Sequence, residues 1–325
     1  MTRWEDGKCE MKVIVFGGSG FIGSHVCEQL LLAGHTVTAV VRKITDQSFL
    51  QSIGADIKEI DFNLDEMIVD AIKGHEAVYN CLANVKLHQS IESHRAVEVL
   101  LTERIIKSAS TAKAKRFVQL STVQVYGFSR PKTAIDEQHN CQATYLFNQV
   151  AQEREVAVKK VADATGIELV IARPVNTIGN RNSTMIEIFK LHKKGLMVIF
   201  GNGENKFSCI DTRDLGRAMV LLGECSPAAG NTYLISGYDT TWKEINKTLG
   251  TIKSRESRLI CVPSMLGKTI AWLLEKIIPY SYDLQLTPFS VSVMCTQTLF
   301  DDERIRELGF TPEYDIIETL KGCIK

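Results

Sequence analysis

The sequence lacks any excess of charge, because its 38 basic side chains are balanced by 38 acidic ones. No overall field would attract nucleic acid or an anionic membrane, so a small-molecule substrate is favoured over a charged macromolecular partner. The nine cysteines include no Cys-x-x-Cys pair, and no Cys/His cluster has the spacing of a zinc site. We therefore expect no metal, and we expect buried thiols in a reducing compartment.

The sequence also lacks a run that reads as a membrane span. The longest apolar stretch, "MLGKTIAWLLEKIIPYSY", carries Lys268, Glu275 and Lys276, which predicts an amphipathic helix, with a surface anchor as the alternative. The first ten residues, "MTRWEDGKCE", are polar and contain no apolar signal core. Together with the cysteine pattern, these absences predict a cytoplasmic protein.

Strand and helix patterns alternate through the first half of the chain. Short apolar runs predict buried strands, and segments with helical spacing separate them; the runs are "MKVIVFGG", "TVTAVV", "EAVYNCLA", "RFVQLS" and "IELVIARP". This order predicts an α/β fold with a Rossmann-type, doubly wound parallel sheet and a smaller C-terminal substrate lobe. We expect residues 11–175 to form the Rossmann domain, with returning segments near 207–236, and residues 176–325 to form mainly the lobe.

A glycine-rich turn, "FGGSGFIGSH", joins the first predicted strand to the first predicted helix. Gly17, Gly20 and Gly23 permit a tight turn, the close approach of a pyrophosphate and close helix–sheet packing. Phe21 and Ile22 open the helix, whose first N–H groups and positive dipole end favour phosphate. In this strand–turn–helix context the pattern indicates a dinucleotide site, with a turn that binds nothing as the alternative.

The residues after the second predicted strand indicate which dinucleotide binds. A carboxylate there would bind the 2′-hydroxyl of NAD, whereas a cation accommodates the 2′-phosphate of NADP. The sequence has Arg42 and Lys43 at this point and no acid, which favours NADP over NAD, with a solvated basic loop as the alternative. We expect Asp61, just past the third strand, either to accept from the adenine amino group or to cap the next helix.

Five segments together resemble the extended short-chain dehydrogenase/reductase family, especially its NAD(P)-dependent nucleotide-sugar epimerase and dehydratase branch. They are "GGSGFIGSH", "STVQVYG", "RPVNTIG", "GNGENKF" with "DTRDL", and "DDERIRELGFTP", and they span nearly the whole chain beyond residue 11. The resemblance implies an NAD(P)-dependent oxidoreductase or epimerase, cofactor contacts from Leu82, Ala83 and Pro174, and helices beside Tyr145 that could build a homodimer.

The active site of that family contains a Ser or Thr and a Tyr-x-x-x-Lys pair. The resemblance places the hydroxyl at Thr122, and "TYLFNQ" matches the pair with Tyr145 and Gln149. Gln149 can still bind the nicotinamide ribose, but it carries no charge to lower the tyrosine pKa. Bringing a tyrosine pKa from about 10 to near neutrality takes roughly 4 kcal/mol of preferential stabilisation of the phenolate. Losing the lysine charge could therefore slow proton transfer by up to about a thousandfold. Lys86, after the fourth strand, is our candidate for a compensating charge, with a solvated loop lysine as the alternative.

Substrate contacts are implied by the resemblance for Asn176, Lys206 and Arg213. Val123 and Gln124 stand where the dehydratases of the family have Asp-Glu, so sugar 4,6-dehydration is not expected.

Three functions fit the sequence. The first is an NADP-dependent epimerase or ketone/alcohol reductase acting on a nucleotide-activated sugar, with Tyr145 as acid/base. The second is a reductase of a lipophilic, steroid- or flavonol-like ketone, which the apolar 259–280 segment motivates. The third is a catalytically weak NADP-binding sensor or scaffold, which Gln149 motivates. Glu98 stands where the family often has a bridging Asn, so the usual proton relay is not assured.

Overall fold

The computed structural model describes residues 10–43, 45–128 and 133–324, so most of the polar N-terminal segment lies outside the described residues. Strands and helices alternate in the order that the sequence predicts. The strands are β1 (Lys12–Phe16), β2 (Thr36–Val41), β3 (Asp56–Glu59), β4 (Ala77–Asn80), β5 (Arg116–Leu120), β6 (Glu168–Pro174), β7 (Asn176–Ile178), β8 (Leu196–Phe200), β9 (Phe207–Asp211), β10 (Thr232–Ile235), β11 (Tyr238–Thr240) and β12 (Arg258–Val262).

The helices lie between and after these strands. They are α1 (Phe21–Leu32), α2 (Ser48–Ser52), α3 (Asp65–Ile72), α4 (Ile91–Arg95), α5 (Thr102–Thr111), α6 (Leu146–Thr165), α7 (Ser183–Lys193), α8 (Thr212–Glu224), α9 (Trp242–Lys253), α10 (Ser264–Ile277), α11 (Pro288–Cys295), α12 (Glu303–Glu307) and α13 (Ile316–Ile324). A π-helical turn, Ala96–Leu101, joins α4 to α5, and short 3₁₀ turns lie at Val123–Tyr126 and Ser226–Ala228.

Within the described ranges, seven strands form one sheet in the order β10-β6-β5-β4-β1-β2-β3, and every pairing is parallel. Alternate residues of β1 face opposite sides, so Val13 and Val15 join one apolar cluster while Ile14 and Phe16 join the other. Helices α1 and α8 cover the first side, and α3 and α5 cover the second. The predicted doubly wound, Rossmann-type parallel sheet is confirmed.

The segments after β6 divide between this sheet and smaller ones. Strand β10 pairs with β6 at the edge of the main sheet, whereas β7, β9 and β11 form a three-stranded sheet and β8 pairs with β12. Helices α9 and α13 contribute Ile245 and Leu320 to a third apolar cluster around Met197 of β8. Helix α10 leaves much of its apolar surface exposed, and among the residues described no helix is long and apolar enough to cross a bilayer.

Two local departures from the predicted helices shape the site. The helix expected to contain Tyr145 begins at Leu146, and Tyr145 is its N-cap residue with extended backbone angles (φ −116°, ψ 155°). The helical segment between β4 and β5 is interrupted by the π-helical turn Ala96–Leu101. A π turn changes the direction in which the side chains on either side of it point, and such turns are frequent at functional sites.

Candidate active site

The glycine turn lies between β1 and α1, at the carboxyl end of the main sheet. Gly17 has φ +79°, and a Cβ on it would lie 2.9 Å from the backbone of Cys81. A Cβ on Gly23 would lie only 2.2 Å from the carbonyl oxygen of Gly17, which also accepts a hydrogen bond from the N–H of Gly20 at 3.0 Å. The turn has no room for a side chain at Gly17 or Gly23 and ends at the amides that open α1, so it fits a dinucleotide pyrophosphate.

The predicted ribose and adenine residues lie at the carboxyl ends of β2 and β3. Arg42 directly follows β2, and its side chain and that of Lys43 are exposed. Asp61 accepts a hydrogen bond from the backbone N–H of Asn63 at 2.9 Å. Because Leu64 is the N-cap of α3, the prediction that Asp61 caps that helix is wrong, and its carboxylate closes a turn instead.

Arg181 is a cation at the glycine turn that sequence reasoning missed. Its Nη2 donates to the carbonyl oxygen of Ser19 at 3.1 Å, and its guanidinium lies 4.6 Å from the centre of the Phe49 ring. Arg181 follows β7, far along the chain from the turn, and no local pattern marks it. The fold therefore brings a positive charge to the predicted phosphate site from the second half of the chain.

A cavity of 270 Å³ adjoins the glycine turn at the same edge of the sheet. It brings together seven of the residues predicted from the sequence, and the rest of its wall is mostly apolar. The predicted residues on the wall are Phe21, Ile22, Leu82, Ala83, Thr122, Pro174 and Asn176. The apolar additions include Val85, Leu120, Val123, Phe147, Val150, Ala151 and Val175.

Two polar side chains on this wall retain hydrogen-bonding capacity. The hydroxyl oxygen of Thr122 accepts from the backbone N–H of Gln124 at 3.2 Å, which leaves its own proton for another acceptor. The side-chain amide of Asn176 donates to the carbonyl of Ser208 at 3.1 Å, and its oxygen is left to accept. Thr122 is therefore bonded to the backbone and also lines the cavity.

Tyr145 and Gln149 are not on the cavity wall. The Tyr145 hydroxyl is 2.8 Å from Oγ of Ser292, and its ring packs edge-on against Phe128 and Phe289. Gln149 is exposed on the outer surface of α6. The two residues of the "TYLFNQ" match do not share one helical face, because Tyr145 precedes the helix and does not follow its periodicity.

Phe147 and Ala151 occupy the cavity face of α6 at the four-residue spacing expected of the tyrosine and the lysine. The register of the helix is set by buried Asn148, whose amide donates to the carbonyl of Gln124 in the 3₁₀ turn. At 3.6 residues per turn, Gln149 points about 200° away from Phe147. The cavity therefore has a phenyl ring and a methyl group where the family motif would have a phenol and an amine.

A buried ion pair supports the floor of the site behind Thr122. Arg173 donates to both carboxylate oxygens of Glu155, at 2.9 Å and 2.5 Å, and Ser121 donates to the same carboxylate at 2.5 Å. Burial alone would raise the pKa of Glu155, but the hydrogen bonds and charge of Arg173 outweigh it, so the pKa is lowered. Burial also raises the pKa of Tyr126, whose hydroxyl accepts from Arg173 at 2.6 Å and stays protonated.

Three polar side chains on the cavity wall were missed as a group. Arg154 forms a buried ion pair with Glu98, and Glu98 also accepts from the backbone N–H of Asn84 at 2.6 Å. His94 is 1% exposed, and its ring meets that of Phe147 edge-on at a centroid distance of 6.2 Å. Burial lowers the pKa of His94, and the Glu98 carboxylate partly opposes this effect.

The cations predicted to serve the substrate are placed elsewhere. Lys86 and Lys206 have exposed side chains, and neither lies on the cavity wall; no contact joins Lys86 to Tyr145 in the ranges that the structure describes. Arg213 donates to both carboxylate oxygens of Asp211, at 2.9 Å and 2.7 Å. Arg213 is therefore paired with a neighbouring acid and does not line the cavity.

The glycine turn, the parallel sheet and the cavity at its carboxyl edge can be compared with known proteins. The sequence profile of the NAD dependent epimerase/dehydratase family matches residues 13–236. This chain belongs to that family. The assignment confirms the resemblance read from the sequence and identifies the protein as an NAD(P)-dependent oxidoreductase or epimerase by family.

Individual relatives match over nearly the full chain. A 2-alkyl-3-oxoalkanoate reductase from Stenotrophomonas maltophilia is 25% identical, and the match covers 96% of this chain and 98% of that protein. Sterol demethylase protein B from Methylococcus capsulatus is 24% identical over 93% of this chain and 94% of its own length. The UDP-glucuronic acid 4-epimerase of Bacillus cereus, solved with NAD, is 18% identical with a TM-score of 0.78 and coverage of 96% and 97%, a likeness that shows the fold.

Proposed function

We propose that the protein is an NADP-dependent oxidoreductase that interconverts a ketone and a secondary alcohol on an apolar substrate. The observation that carries the proposal is the wall of the 270 Å³ cavity, where aliphatic and phenyl side chains surround Thr122 and Asn176. Apolar pockets with a few placed polar groups bind small molecules whose orientation those polar groups fix. In this cavity the hydroxyl of Thr122 is the group that can orient a substrate oxygen.

The placement of the cations argues against a nucleotide-activated sugar. A diphosphate calls for charged, preferably forked donors. Arg213 is paired with Asp211, and Lys206 is exposed away from the cavity wall. Two full-length relatives carry the names 2-alkyl-3-oxoalkanoate reductase and sterol demethylase protein B, which supports the second of the three functions considered from the sequence.

The exposed surface of α10 adds support for an apolar substrate. Met265 is 82% exposed, Trp272 is 52% exposed and Ile277 is 74% exposed, an unusual amount of apolar surface for one helix. Just beyond α10, the carbonyl of Ile278 accepts from His88 at 2.8 Å. His88 belongs to the loop after β4, which also supplies Leu82, Ala83 and Val85 to the cavity wall, so this hydrogen bond links the end of α10 to a loop of the site.

The chain's own residues supply binding and orientation for the cofactor. Gly17, Gly20 and Gly23 fit the pyrophosphate, and exposed Arg42 is suited to a 2′-phosphate, which favours NADP. When bound, the nicotinamide gives or takes a hydride. Thr122 aligns the substrate oxygen, and the apolar wall excludes water from the reacting carbon.

A binding and turnover panel tests the proposal. Calorimetry with NADPH and NADH should show tighter binding of NADPH. Reduction should then be followed with a 2-alkyl-3-oxoalkanoate, a steroid ketone, UDP-glucose and UDP-glucuronic acid. We expect turnover of at least one of the apolar ketones and none of the sugars. Turnover of a UDP-sugar alone would restore the first function, and tight cofactor binding without any turnover would favour the sensor.

A further inference from the structure

His94 is a buried imidazole on the wall of the cavity, and the function proposed above does not yet use it. It is 1% exposed, and neither ring nitrogen makes a hydrogen bond of good geometry among the described residues, although the backbone of Lys86 lies near enough to raise its pKa. Leaving a buried polar atom unpaired costs free energy. Because His94 lines an open cavity, a group that enters the cavity can provide the missing partner.

The neighbours of His94 fit a proton-exchanging group. Glu98 lies one turn further along the same segment, and Arg154 of α6 and the backbone of Asn84 hold its carboxylate in place. The backbone of Lys86, in the loop after β4, favours the protonated imidazole. Burial lowers the pKa of His94 and outweighs the opposing effects of the Glu98 carboxylate and the Lys86 backbone, so the imidazole is neutral at pH 7.

The same cavity lacks an acid/base group on α6. Phe147 and Ala151 occupy the face where the family motif would have a tyrosine and a lysine, and the phenyl ring of Phe147 meets the imidazole edge-on. Phe147 has no titratable group, and the hydroxyl of Thr122 does not titrate near neutral pH. Of the side chains on the wall, His94 is the group whose ordinary pKa is suited to proton transfer at neutral pH.

We propose that His94 exchanges the proton of the substrate oxygen, taking the part that a phenol would have on α6. The inference rests on the proposed oxidoreductase function. In alcohol oxidation the carbinol C–H bond breaks and its hydride leaves to the oxidised dinucleotide. The hydroxyl O–H bond also breaks, a C=O bond forms, and the proton moves to the neutral imidazole. Ketone reduction is the reverse, with the imidazolium giving its proton to the oxygen.

A purely structural role for His94 makes a different prediction. If the imidazole serves only as the aromatic partner of Phe147, then His94→Phe would keep the edge-on contact, the fold and the turnover. The proposal predicts that His94→Phe and His94→Gln both fold, bind NADPH as the parent does, and lose about 100-fold or more in kcat. The pH profile of the parent should have an inflection below pH 6.5, with reduction faster on the acid side, and residual activity in the variants should lack it.

His192 provides a matched control. It is 2% exposed, its Nε2 has no hydrogen-bond partner in the described part of the chain, and its pKa is also lowered by burial, yet it is not on the cavity wall. His192→Gln should leave kcat and the pH profile unchanged. Parent-like turnover in His94→Phe, or an equal loss in His192→Gln, would overturn the proposal.

Histidine-selective NMR gives a readout that does not depend on turnover. The chain has seven histidines, and the signal that His94→Gln removes identifies residue 94. That signal should titrate below pH 6.5, and saturating NADP⁺ should shift its pKa lower because a nearby cation disfavours the imidazolium. A His94 signal that NADP⁺ leaves unmoved would overturn the inference. A parent that binds no dinucleotide in calorimetry would instead overturn the proposed function.

Discussion

The buried pair of Glu155 and Arg173 allows a sharp test of how the site is supported. Glu155 is 4% exposed and Arg173 is 5% exposed, and two hydrogen bonds join them. Glu155→Ala would leave the guanidinium with the hydroxyl of Tyr126 and no carboxylate. Removing one partner of a buried ion pair typically costs 3–5 kcal/mol, so we expect a loss of about 4 kcal/mol in the free energy of unfolding. That is a large part of the 5–15 kcal/mol typical of folded proteins.

Urea unfolding followed by circular dichroism measures this loss. The matched control is Glu153→Ala on the same helix, because Glu153 also accepts two hydrogen bonds from one arginine, Arg95, but at an exposed site. Exposed pairs contribute about 0–1 kcal/mol, so this variant should stay close to the parent. If Glu155→Ala loses no more stability than Glu153→Ala, the reasoning from burial is wrong.

The pH dependence of the same pair has a definite sign. The pKa of Glu155 is lowered below its usual 4.5 in the folded protein, so the unfolded chain binds a proton more readily. The stabilisation is therefore present above about pH 4.5 and is lost as the pH falls through the lower folded value. Between pH 7 and pH 3 the parent should lose more stability than Glu155→Gln. Parallel losses in the two proteins would contradict the lowered pKa.

Three further outcomes are expected. Tyr145→Phe should leave kcat within about twofold of the parent and cost about 1 kcal/mol of unfolding free energy, because its hydroxyl makes a neutral hydrogen bond outside the cavity; a 100-fold loss of kcat would return Tyr145 to the chemistry. Gly23→Ala should abolish dinucleotide binding in calorimetry, since its Cβ would lie 2.2 Å from the Gly17 oxygen. Gly250→Ala is the control and should bind normally, because its nearest neighbour lies at 3.6 Å. Normal binding by both variants would contradict the role of the glycine turn in binding the dinucleotide. Arg42→Ala should weaken NADPH by roughly tenfold or more and leave NADH unchanged, as measured by fluorescence titration; equal effects on both cofactors would argue against a 2′-phosphate contact.

The fold was predictable because the apolar composition of the strands shows that they are buried. Strands such as Val13–Phe16 are apolar on both faces, which only a sheet covered by helices on both sides explains. The glycine turn was equally clear, since Gly17 and Gly23 have no space for a side chain. Both signals lie within short segments of the chain, so they can be recognised from one sequence alone.

The family motif places the wrong residues on the inward face of α6, because Tyr145 precedes the helix. Phe147, Val150, Ala151 and Val158 recur at helical spacing and define the inward face, and Gln149 falls outside that stripe. This periodicity was present in the sequence and would have placed Gln149 on the surface.

Other site residues could not be found from local patterns. Arg181 reaches the glycine turn only through the folding of the second half of the chain onto the first. His94 was not a candidate from the sequence because a single histidine in a helical segment carries no signal of its own. Its significance arises from the cavity and from the missing phenol on α6, both of which are tertiary facts.

The π-helical turn Ala96–Leu101 makes the length of this segment critical. A chain one residue shorter here could run as an unbroken α-helix from Ile91 onward, yet every side chain beyond the deletion would be rotated by about 100°. Either His94 would turn off the cavity or Ile105 and Ile106 would leave the core that they now fill. A deletion in this stretch therefore rotates every side chain that follows it, which a substitution does not do. A homologue that lacks one residue there must place its proton-transferring group on another element.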